Sequence, residues 1–411
     1  MKRKLLYLIV LLLAAAPVVH AQEQEPELEA VAADTLERDT LPWPLSLQTR
    51  IDRLVEDSLL LYSQMGLKIY DLTADTCLYD WHATQTLRPA STMKLVTAIT
   101  ALDRLGGDYQ FSTSLYYSGT LEGRTLKGDL YCVGGMDPSF GEGDLVTLLD
   151  ELRRAGIDTI QGRLMADLTM KDTLHWGEGW CWDDDNPTLT PLLIDKKPVF
   201  MKRLQKKLMD VGVVLLDGKL GEGRLPKKAV RLTTLSHSID HILQRMMKES
   251  DNLYAESMFY QVAAATGAVR PGAKQARQVV DRLVSWLGLN PEAYRIADGS
   301  GLSLYNYLSP ELEVALLQHA WRKPSIYKHL LPSLPIAGVD GTLKKRMKET
   351  AAEGNVQAKT GTVTGVSCLA GYCTAPNGHR LCFSIMNQGT LSVSQARHFQ
   401  DLVCEAMCAP Q

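Results

Sequence analysis

The sequence predicts a mixed α/β (α+β) fold, in which helices flank an antiparallel sheet and a smaller α/β domain is inserted into the chain. Two observations lead to this prediction. Strand-like segments occur near both ends of the chain, so we expect one sheet to combine them. Between two helical regions, residues 108–233 change to short β-like pieces around single helices, which indicates an inserted domain.

The beginning of the chain has the composition of a secretion signal. Three basic residues open it, the apolar run 5–16 is too short to cross a bilayer comfortably, and a small-residue cleavage site precedes Gln22. Residues 1–21 are therefore predicted to be a signal peptide, with an uncleaved anchor as the alternative. The acidic, Pro- and Ala-rich residues 22–44 predict a flexible acidic linker. We expect a periplasmic protein, soluble or loosely membrane-associated, without an integral membrane segment after cleavage.

The bulk properties allow a large core and exclude some partners. The 411 residues are 45% hydrophobic, which is ample for two or three domains. A formal net charge of -3 gives no reason to expect nucleic acid as a partner.

The secondary structure elements of the main domain follow from apolar periodicity. A helix is expected over 51–62, and a second helix begins at Ser91 and runs to Leu105. Asn377-Gly378 predicts a hairpin turn between the last two strands. The remaining predicted helices cover 238–248, the stretch after Asn252, 276–287 and 393–407, and the predicted strands cover 66–71, 76–81, 355–362, 367–374 and 380–387. Residues 45–107 and 234–411 are thus assigned to one domain and 108–233 to the insert.

The cysteines show neither a zinc spacing nor a C-x-x-C pair. Three of them, Cys368, Cys373 and Cys382, fall in apolar strand patterns, where cysteine behaves as a small hydrophobe. We therefore predict mostly free, buried thiols. His237 and His241 are one helical turn apart but belong to no H-E-x-x-H motif, so no metal site is predicted.

A serine and a lysine at the head of a predicted helix are the first candidates for catalysis. Ser91 and Lys94 share one face, because a helix repeats about every 3.6 residues. A serine hydroxyl needs a base to remove its proton, and Lys94 can act as that base if burial and a second cation, for which Lys359 is the candidate, lower its pKa. The alternative is that Ser91 only caps the helix and Lys94 is solvated.

A second motif, Ser250-Asp251-Asn252, lies at the junction of two predicted helices. Ser250 can relay a proton to a leaving amine, and Asn252 can orient Lys94 and hold a substrate amide. The alternative is a junction that merely caps the following helix.

A third motif, Lys359-Thr360-Gly361, lies in a strand pattern. Lys359 and Thr360 can bind a substrate carboxylate, and Gly361 allows a peptide to pair closely along the strand edge. The backbone N–H groups of Ser91 and Thr362 are the expected oxyanion hole. The alternative is an exposed edge lysine that prevents aggregation.

These motifs and their surroundings resemble one known family. Residues 88–94, 248–256, 298–303, 337–343 and 358–366 resemble the D-alanyl-D-alanine carboxypeptidase/endopeptidase family of class C low-molecular-mass penicillin-binding proteins, peptidase family S13. The resemblance covers nearly all of 46–411.

The resemblance implies the penicillin-binding-protein/β-lactamase-like transpeptidase fold, with Ser91 as the acylated serine and Lys94 as its base. It implies cleavage of the terminal D-Ala-D-Ala bond of peptidoglycan stem peptides, and in some members of D-Ala–diaminopimelate cross-links. β-Lactam antibiotics would acylate the same serine, and no metal or other cofactor is needed.

Two positions bear on substrate choice. Leu304 stands where the family usually has an arginine near the site, which affects the preference for substrate charge. Asp172, in the predicted insert, can contact the amine of a diaminopimelate side chain. Only one full insert fits here, although family members often carry two inserted domains.

Two alternative functions stay open at this point. A β-lactamase is disfavoured by the insert, by the length and by the lack of a glutamate placed as a deacylation base. A non-hydrolytic or slowly deacylating β-lactam or cell-wall sensor is disfavoured by the intact motifs.

Overall fold

The computed structural model describes residues 41–183 and 186–410. The predicted signal peptide 1–21 and most of the predicted linker 22–44 lie outside the described residues. Within the described ranges, no helix is both long and apolar enough to cross a membrane.

The elements are numbered in chain order over the described residues. The helices are α1 (Leu45–Leu54), α2 (Met93–Leu105), α3 (Glu142–Arg154), α4 (Phe200–Asp210), α5 (Ile239–Lys248), α6 (Asn252–Ala264), α7 (Ala273–Trp286), α8 (Pro310–Arg322), α9 (Pro324–Ser333) and α10 (Val393–Cys408). The strands are β1 (Gln64–Asp71), β2 (Thr76–Trp81), β3 (Gln110–Glu122), β4 (Thr125–Val133), β5 (Thr159–Ile160), β6 (Leu164–Asp167), β7 (Val214–Leu215), β8 (Leu220–Glu222), β9 (Val230–Ser238), β10 (Gln357–Val363), β11 (Val366–Thr374) and β12 (Arg380–Gln388).

The main sheet joins the two ends of the chain, as the sequence predicts. Its order is β10-β11-β12-β1-β2, with every neighbouring pair antiparallel. Leu67 of β1 lies opposite Ile385 of β12, a pairing across more than three hundred residues. Strand β10 is at the edge of the sheet, and beyond Gln357 and Ala358, which bond to Ile336 and Pro335, its outer side is open beside the functional residues.

A second sheet has the order β7-β5-β4-β3-β9, with β6 paired to β4 and β8. It has its own apolar core, which includes Leu130, Leu148 and Leu204. Strand β9 crosses the predicted domain boundary between 233 and 234, so this sheet continues to Ser238. The chain from Leu41 onward forms one compact unit, and the division into a main domain and an insert stays a prediction.

Helix α2 occupies the centre of the larger helical layer. Its residues from Met93 to Leu102 are all buried, and it packs against α6, α8 and α9. Helix α8 packs between this layer and strands β1 and β12, whereas α10 packs on β11 and contacts α1. Because this part of α2 is surrounded by other elements, the polar side chains between Met93 and Leu102 are taken out of water.

The first helix differs from its prediction. It begins at Leu45 and ends at Leu54, instead of covering 51–62. The Asp57 side chain accepts a hydrogen bond from the Leu59 N–H and starts a separate 3₁₀ turn there. A local side-chain bond of this kind competes with helix propagation, and Tyr62 is left exposed.

The cysteines agree with the prediction of buried thiols. Those that are buried and free are Cys132, Cys368, Cys373, Cys382, Cys404 and Cys408.

We expect Phe383→Ala to lower the free energy of unfolding by about 3–5 kcal/mol, because Phe383 is fully buried in the core that β12 shares with β1. Urea denaturation measures the change. The control Leu391→Ala, at a fully exposed position, should stay within about 0.5 kcal/mol of the parent protein. Equal effects of the two substitutions would contradict the assignment of Phe383 to the core.

Candidate active site

Four segments that are distant in sequence meet at the open side of strand β10. They are the 3₁₀ turn Ala90–Thr92 that precedes α2, the junction of α5 and α6 at Ser250, the loop 298–303, and β10 itself. The predicted helix at Ser91 therefore starts as a 3₁₀ turn, and its α-helical part begins at Met93.

The lysine of the first motif is bound by three oxygen atoms. Lys94 Nζ lies 2.9 Å from Ser91 Oγ, 2.8 Å from Asn252 Oδ1 and 2.7 Å from the Ser300 carbonyl oxygen. The Lys94 side chain is fully buried. The amide and carbonyl oxygens can only accept hydrogen bonds, so a neutral Lys94 directs its lone pair at the Ser91 hydroxyl. This geometry is the one that Lys94 needs to act as a base for Ser91.

Burial lowers the pKa of Lys94 to about 8, although the charges of Asp298, Glu256 and Asp251 raise it. A substantial fraction of Lys94 is therefore neutral near pH 8, whereas a solvated lysine is almost fully protonated there.

The second motif is held in a strained backbone conformation. Ser250 has a φ of 58°, in the left-handed region that side chains other than glycine rarely adopt. Asp251 caps α6 by accepting from the Leu253 N–H, and its other oxygen binds Lys196 and Arg245. The cap fixes where α6 begins, and so it fixes the Asn252 side chain against Lys94.

The lysine of the third motif is buried rather than exposed. Lys359 Nζ lies 2.9 Å from Ser250 Oγ and 2.7 Å from the Thr360 carbonyl oxygen, and the side chain has no exposed surface. Burial lowers the pKa of Lys359 well below its usual range, and the charge of Lys94 lowers it further. The edge-lysine alternative is therefore wrong for Lys359.

The electrostatic hypothesis for the two lysines needs a refinement. The sequence predicts that burial and the charge of Lys359 together lower the pKa of Lys94. Burial is what lowers the pKa of Lys94. The pKa of Lys359 is lowered by its own burial and, in addition, by the charge of Lys94. Since repulsion between two ammonium groups is mutual, the pair releases its first proton more readily than either lysine would alone.

Gly361 allows β10 to approach the serine turn. A Cβ atom at this position would lie 2.4 Å from the Pro89 carbonyl oxygen and 3.1 Å from the Ser91 nitrogen. Only glycine therefore fits between the strand and the turn. This approach brings the backbone of β10 beside the Ser91 N–H, where the sequence analysis expects the oxyanion hole with Thr362.

Two buried carboxylates, which sequence reasoning did not single out, hold the loop 298–303. Glu256 Oε1 accepts from the N–H groups of Gly299 and Ser300, at 3.0 and 2.8 Å. Asp298 accepts from the N–H groups of Gly301 and Ser303, at 2.8 and 2.7 Å. These bonds orient the Ser300 carbonyl toward Lys94. A signal for Glu256 was present, because it is the one acidic residue in the mostly apolar stretch 253–263.

The loop is also bound to residues 176–182 of the predicted insert, a segment that contains three tryptophans. Trp180 Nε1 donates to Asp298 Oδ2 at 2.8 Å, and both side chains are buried. Burial and, to a smaller extent, the charge of Asp298 raise the pKa of Glu256 to about 8. Lys94 and Glu256 therefore titrate in the same range.

The outer residues of the third motif line the open edge. The Thr360 hydroxyl bonds the Thr342 hydroxyl at 2.8 Å, and Arg397 Nη2 donates to the Thr362 hydroxyl at 3.2 Å. Arg397, on α10, was not identified from the sequence, because it follows no motif.

The structure does not bring Asp172 into the hydrogen-bond network around Ser91. Its carboxylate binds Lys171 Nζ at 2.7 Å and the Leu174 N–H at 3.1 Å, and its role in binding a substrate amine stays a prediction. Leu304 lies close to the serine turn, since its carbonyl oxygen accepts from Arg88 Nε at 3.2 Å. His237 is bound to Asp137 at 2.7 Å, and the described residues contain no group of three or more metal-binding side chains.

Comparison with known proteins identifies the family of this chain. The model of the D-Ala-D-Ala carboxypeptidase 3 (S13) family matches residues 47–192 and 193–407. A D-alanyl-D-alanine carboxypeptidase from an Actinomadura species is 29% identical, over 84% of this chain and 81% of its own. The DacB carboxypeptidase of Haemophilus influenzae is 26% identical, over 78% of this chain and 84% of its own.

The crystal structure of penicillin binding protein 4 from Haemophilus influenzae has the same fold. It superposes with a TM-score of 0.77 at 23% identity, over 87% of this chain and 97% of that one. The predicted fold is thereby confirmed.

Fold and family together define a serine hydrolase, and the side-chain arrangement places a buried lysine beside the predicted serine nucleophile. The chain belongs to the D-Ala-D-Ala carboxypeptidase 3 (S13) family, and its enzyme class is that of a serine-type D-Ala-D-Ala carboxypeptidase.

We expect Gly361→Ala to slow acylation by a fluorescent penicillin by at least about a hundredfold, because the new methyl group would push β10 away from Ser91. The labelling rate on gels is the measurement. Gly143→Ala is the matched control, since Gly143 lies in α3 with open space around its Cα. Unchanged labelling of Gly361→Ala would contradict the close approach.

We also expect the acylation rate to fall about tenfold per pH unit well below pH 8, because Lys94 becomes protonated there. Glu256→Gln keeps an acceptor for the Gly299 and Ser300 N–H groups but removes a charge that raises the pKa of Lys94. The acidic limb of its pH profile should move to lower pH by less than about one unit, because Glu256, with a pKa of about 8, is itself partly protonated in this range. Stopped-flow acylation across pH 5.5–9.5, a range of about four units, measures both profiles.

The control for this profile is Glu292→Gln, at an exposed position. If the acidic limb of the pH profile does not shift in Glu256→Gln, or shifts by the same amount in the control, the electrostatic role of Glu256 is contradicted.

Proposed function

We propose that this protein hydrolyses the terminal D-Ala-D-Ala bond of peptidoglycan stem peptides through an acyl-enzyme on Ser91. The observation that carries the proposal is the 2.9 Å contact between Lys94 Nζ and Ser91 Oγ, in which Lys94 is fully buried. A buried, partly neutral amine within hydrogen-bond distance of a serine hydroxyl is the arrangement that nucleophilic catalysis needs.

In the acylation step, Ser91 Oγ attacks the carbonyl carbon of the penultimate D-Ala and its proton passes to Lys94 Nζ. The N–H groups of Ser91 and Thr362 stabilise the negative charge on the carbonyl oxygen. When the C–N bond breaks, the leaving nitrogen of the terminal D-Ala takes up a proton. The proton that Lys94 took from Ser91 passes on to this nitrogen through the Ser250 hydroxyl, which Lys359 Nζ holds at 2.9 Å, so Lys94 is neutral again before deacylation.

In the deacylation step, a water molecule attacks the ester carbon. Lys94 can remove the proton of this water and return it to Ser91 Oγ, which restores the free enzyme. Asn252 keeps Lys94 in place through both steps, because its Oδ1 lies 2.8 Å from Nζ.

Three further properties belong to the same proposal. β-Lactam antibiotics would acylate Ser91, since the crystal structure of the Haemophilus influenzae penicillin binding protein 4 is also known in complex with a β-lactam. D-Ala–diaminopimelate cross-links are a second substrate, and the protein acts in the periplasm after removal of residues 1–21. The basic and apolar start of the chain supports this location.

Ser91→Ala should abolish labelling by a fluorescent penicillin and release of D-Ala from diacetyl-Lys-D-Ala-D-Ala, with losses of at least about a thousandfold, because no acyl-enzyme can form. Gel fluorescence and a D-Ala assay are the measurements. Ser325→Ala, at an exposed position on α9, is the control. Equal labelling of parent and Ser91→Ala would contradict the assignment. Labelling of the parent without release of D-Ala would instead support the sensor alternative.

A further inference from the structure

An exposed arginine stands beside the edge strand without a carboxylate partner. Arg397 lies in the second turn of α10, and its Nη2 donates to the Thr362 hydroxyl at 3.2 Å. Among residues 41–183 and 186–410, no carboxylate lies within 4.0 Å of its guanidinium group. Asp401, one turn further along α10, is bound to Arg346 at 2.7 Å and so does not neutralise it.

Lys359, the buried lysine of the third motif, does not place a positive charge at the open side of β10. Lys359 has no exposed area, and its Nζ already donates to Ser250 Oγ and to the Thr360 carbonyl oxygen. Its low pKa also favours the uncharged form. A negatively charged ligand at the open side of β10 therefore needs another cation.

Strand geometry places Arg397 on the ligand side of β10. Side chains of a strand alternate between two faces, so Thr360 and Thr362 share one face while Lys359 and Gly361 occupy the other. Thr362 is exposed and Lys359 is buried, in agreement with this alternation. The guanidinium group of Arg397, which donates to the Thr362 hydroxyl, therefore lies beside the hydroxyl groups of Thr360 and Thr362 on the same face of β10.

The carboxylate of the leaving amino acid is a group that these three side chains can bind. In the proposed reaction the Thr362 N–H binds the carbonyl oxygen of the scissile bond, so the leaving amino acid lies beside Thr362. Its carboxylate carbon is only two bonds from the leaving nitrogen, about 2.5 Å away. Guanidinium groups bind carboxylates with two parallel hydrogen bonds, and hydroxyl groups add further donors.

We propose that Arg397 is a specificity-determining residue, which binds the free α-carboxylate of the leaving D-amino acid together with the hydroxyl groups of Thr360 and Thr362. This inference rests on the proposed function. It implies that the enzyme selects peptides whose leaving residue keeps a free carboxylate over peptides in which that group is amidated. The same selection applies to a terminal D-Ala and to the D-centre of a cross-linked diaminopimelate.

The test compares two peptides, diacetyl-Lys-D-Ala-D-Ala and the same peptide with a C-terminal amide. For Arg397→Gln we expect kcat/KM to fall about ten- to a hundredfold on the acid, mainly through KM, and to change less than about twofold on the amide. Arg397→Lys should recover part of the loss, since it restores the charge without the planar fork. Arg153→Gln, at an exposed position on α3, is the control.

The outcomes separate this inference from the proposed function. If the parent protein cleaves neither peptide, the proposed function fails and the inference fails with it. If the parent protein is active and Arg397→Gln leaves the ratio of the two kcat/KM values unchanged, only the role of Arg397 is overturned. A parallel loss on both peptides, with a lowered melting temperature, would assign Arg397 a structural role and would also overturn the inference.

Discussion

The interaction on which the rest of this structure depends is the burial of the Lys94 amine among three oxygen atoms. Those atoms belong to Ser91, Asn252 and Ser300, which lie on three segments separated by more than two hundred residues in total. Lowering a lysine pKa from 10.5 to about 8 costs the folded state roughly 3 kcal/mol at neutral pH. The apolar packing of α2, whose residues from Met93 to Leu102 are all buried, helps to offset that cost.

The second property of the site is that several ionisable groups are buried close together, so that their charges affect the pKa values of the two lysines. Two lysines and the carboxylates of Glu256 and Asp298 are all withdrawn from water, and the charges of both carboxylates raise the pKa of Lys94. Glu256 and Asp298 act on Lys94 in two ways, through their charge and through the loop that presents the Ser300 carbonyl. Since Trp180 donates to Asp298, the segment that carries Trp180 is connected to the same network.

The sequence was sufficient to predict those parts of the structure that depend on local patterns or on known short motifs. The strands at both ends, the hairpin at Asn377-Gly378 and the pairing of Ser91 with Lys94 follow from periodicity and spacing. It was not sufficient where a side-chain contact decided the outcome, as with the Asp57 cap that ends the first helix early. Neither the burial of Lys359 nor the position of Arg397 can be predicted from spacing, because both result from the approach of distant elements to β10.

The measurement that tests the central claim most directly is the titration of Lys94 itself. Lysine labelled with ¹³C at the ε position gives one signal per lysine, and the signal that disappears in Lys94→Arg identifies this residue. An apparent pKa near 8 would agree with a buried amine that can accept the Ser91 proton. A pKa at or above 10.5, the value of a solvated lysine, would show that Lys94 remains protonated and would contradict its role as the base.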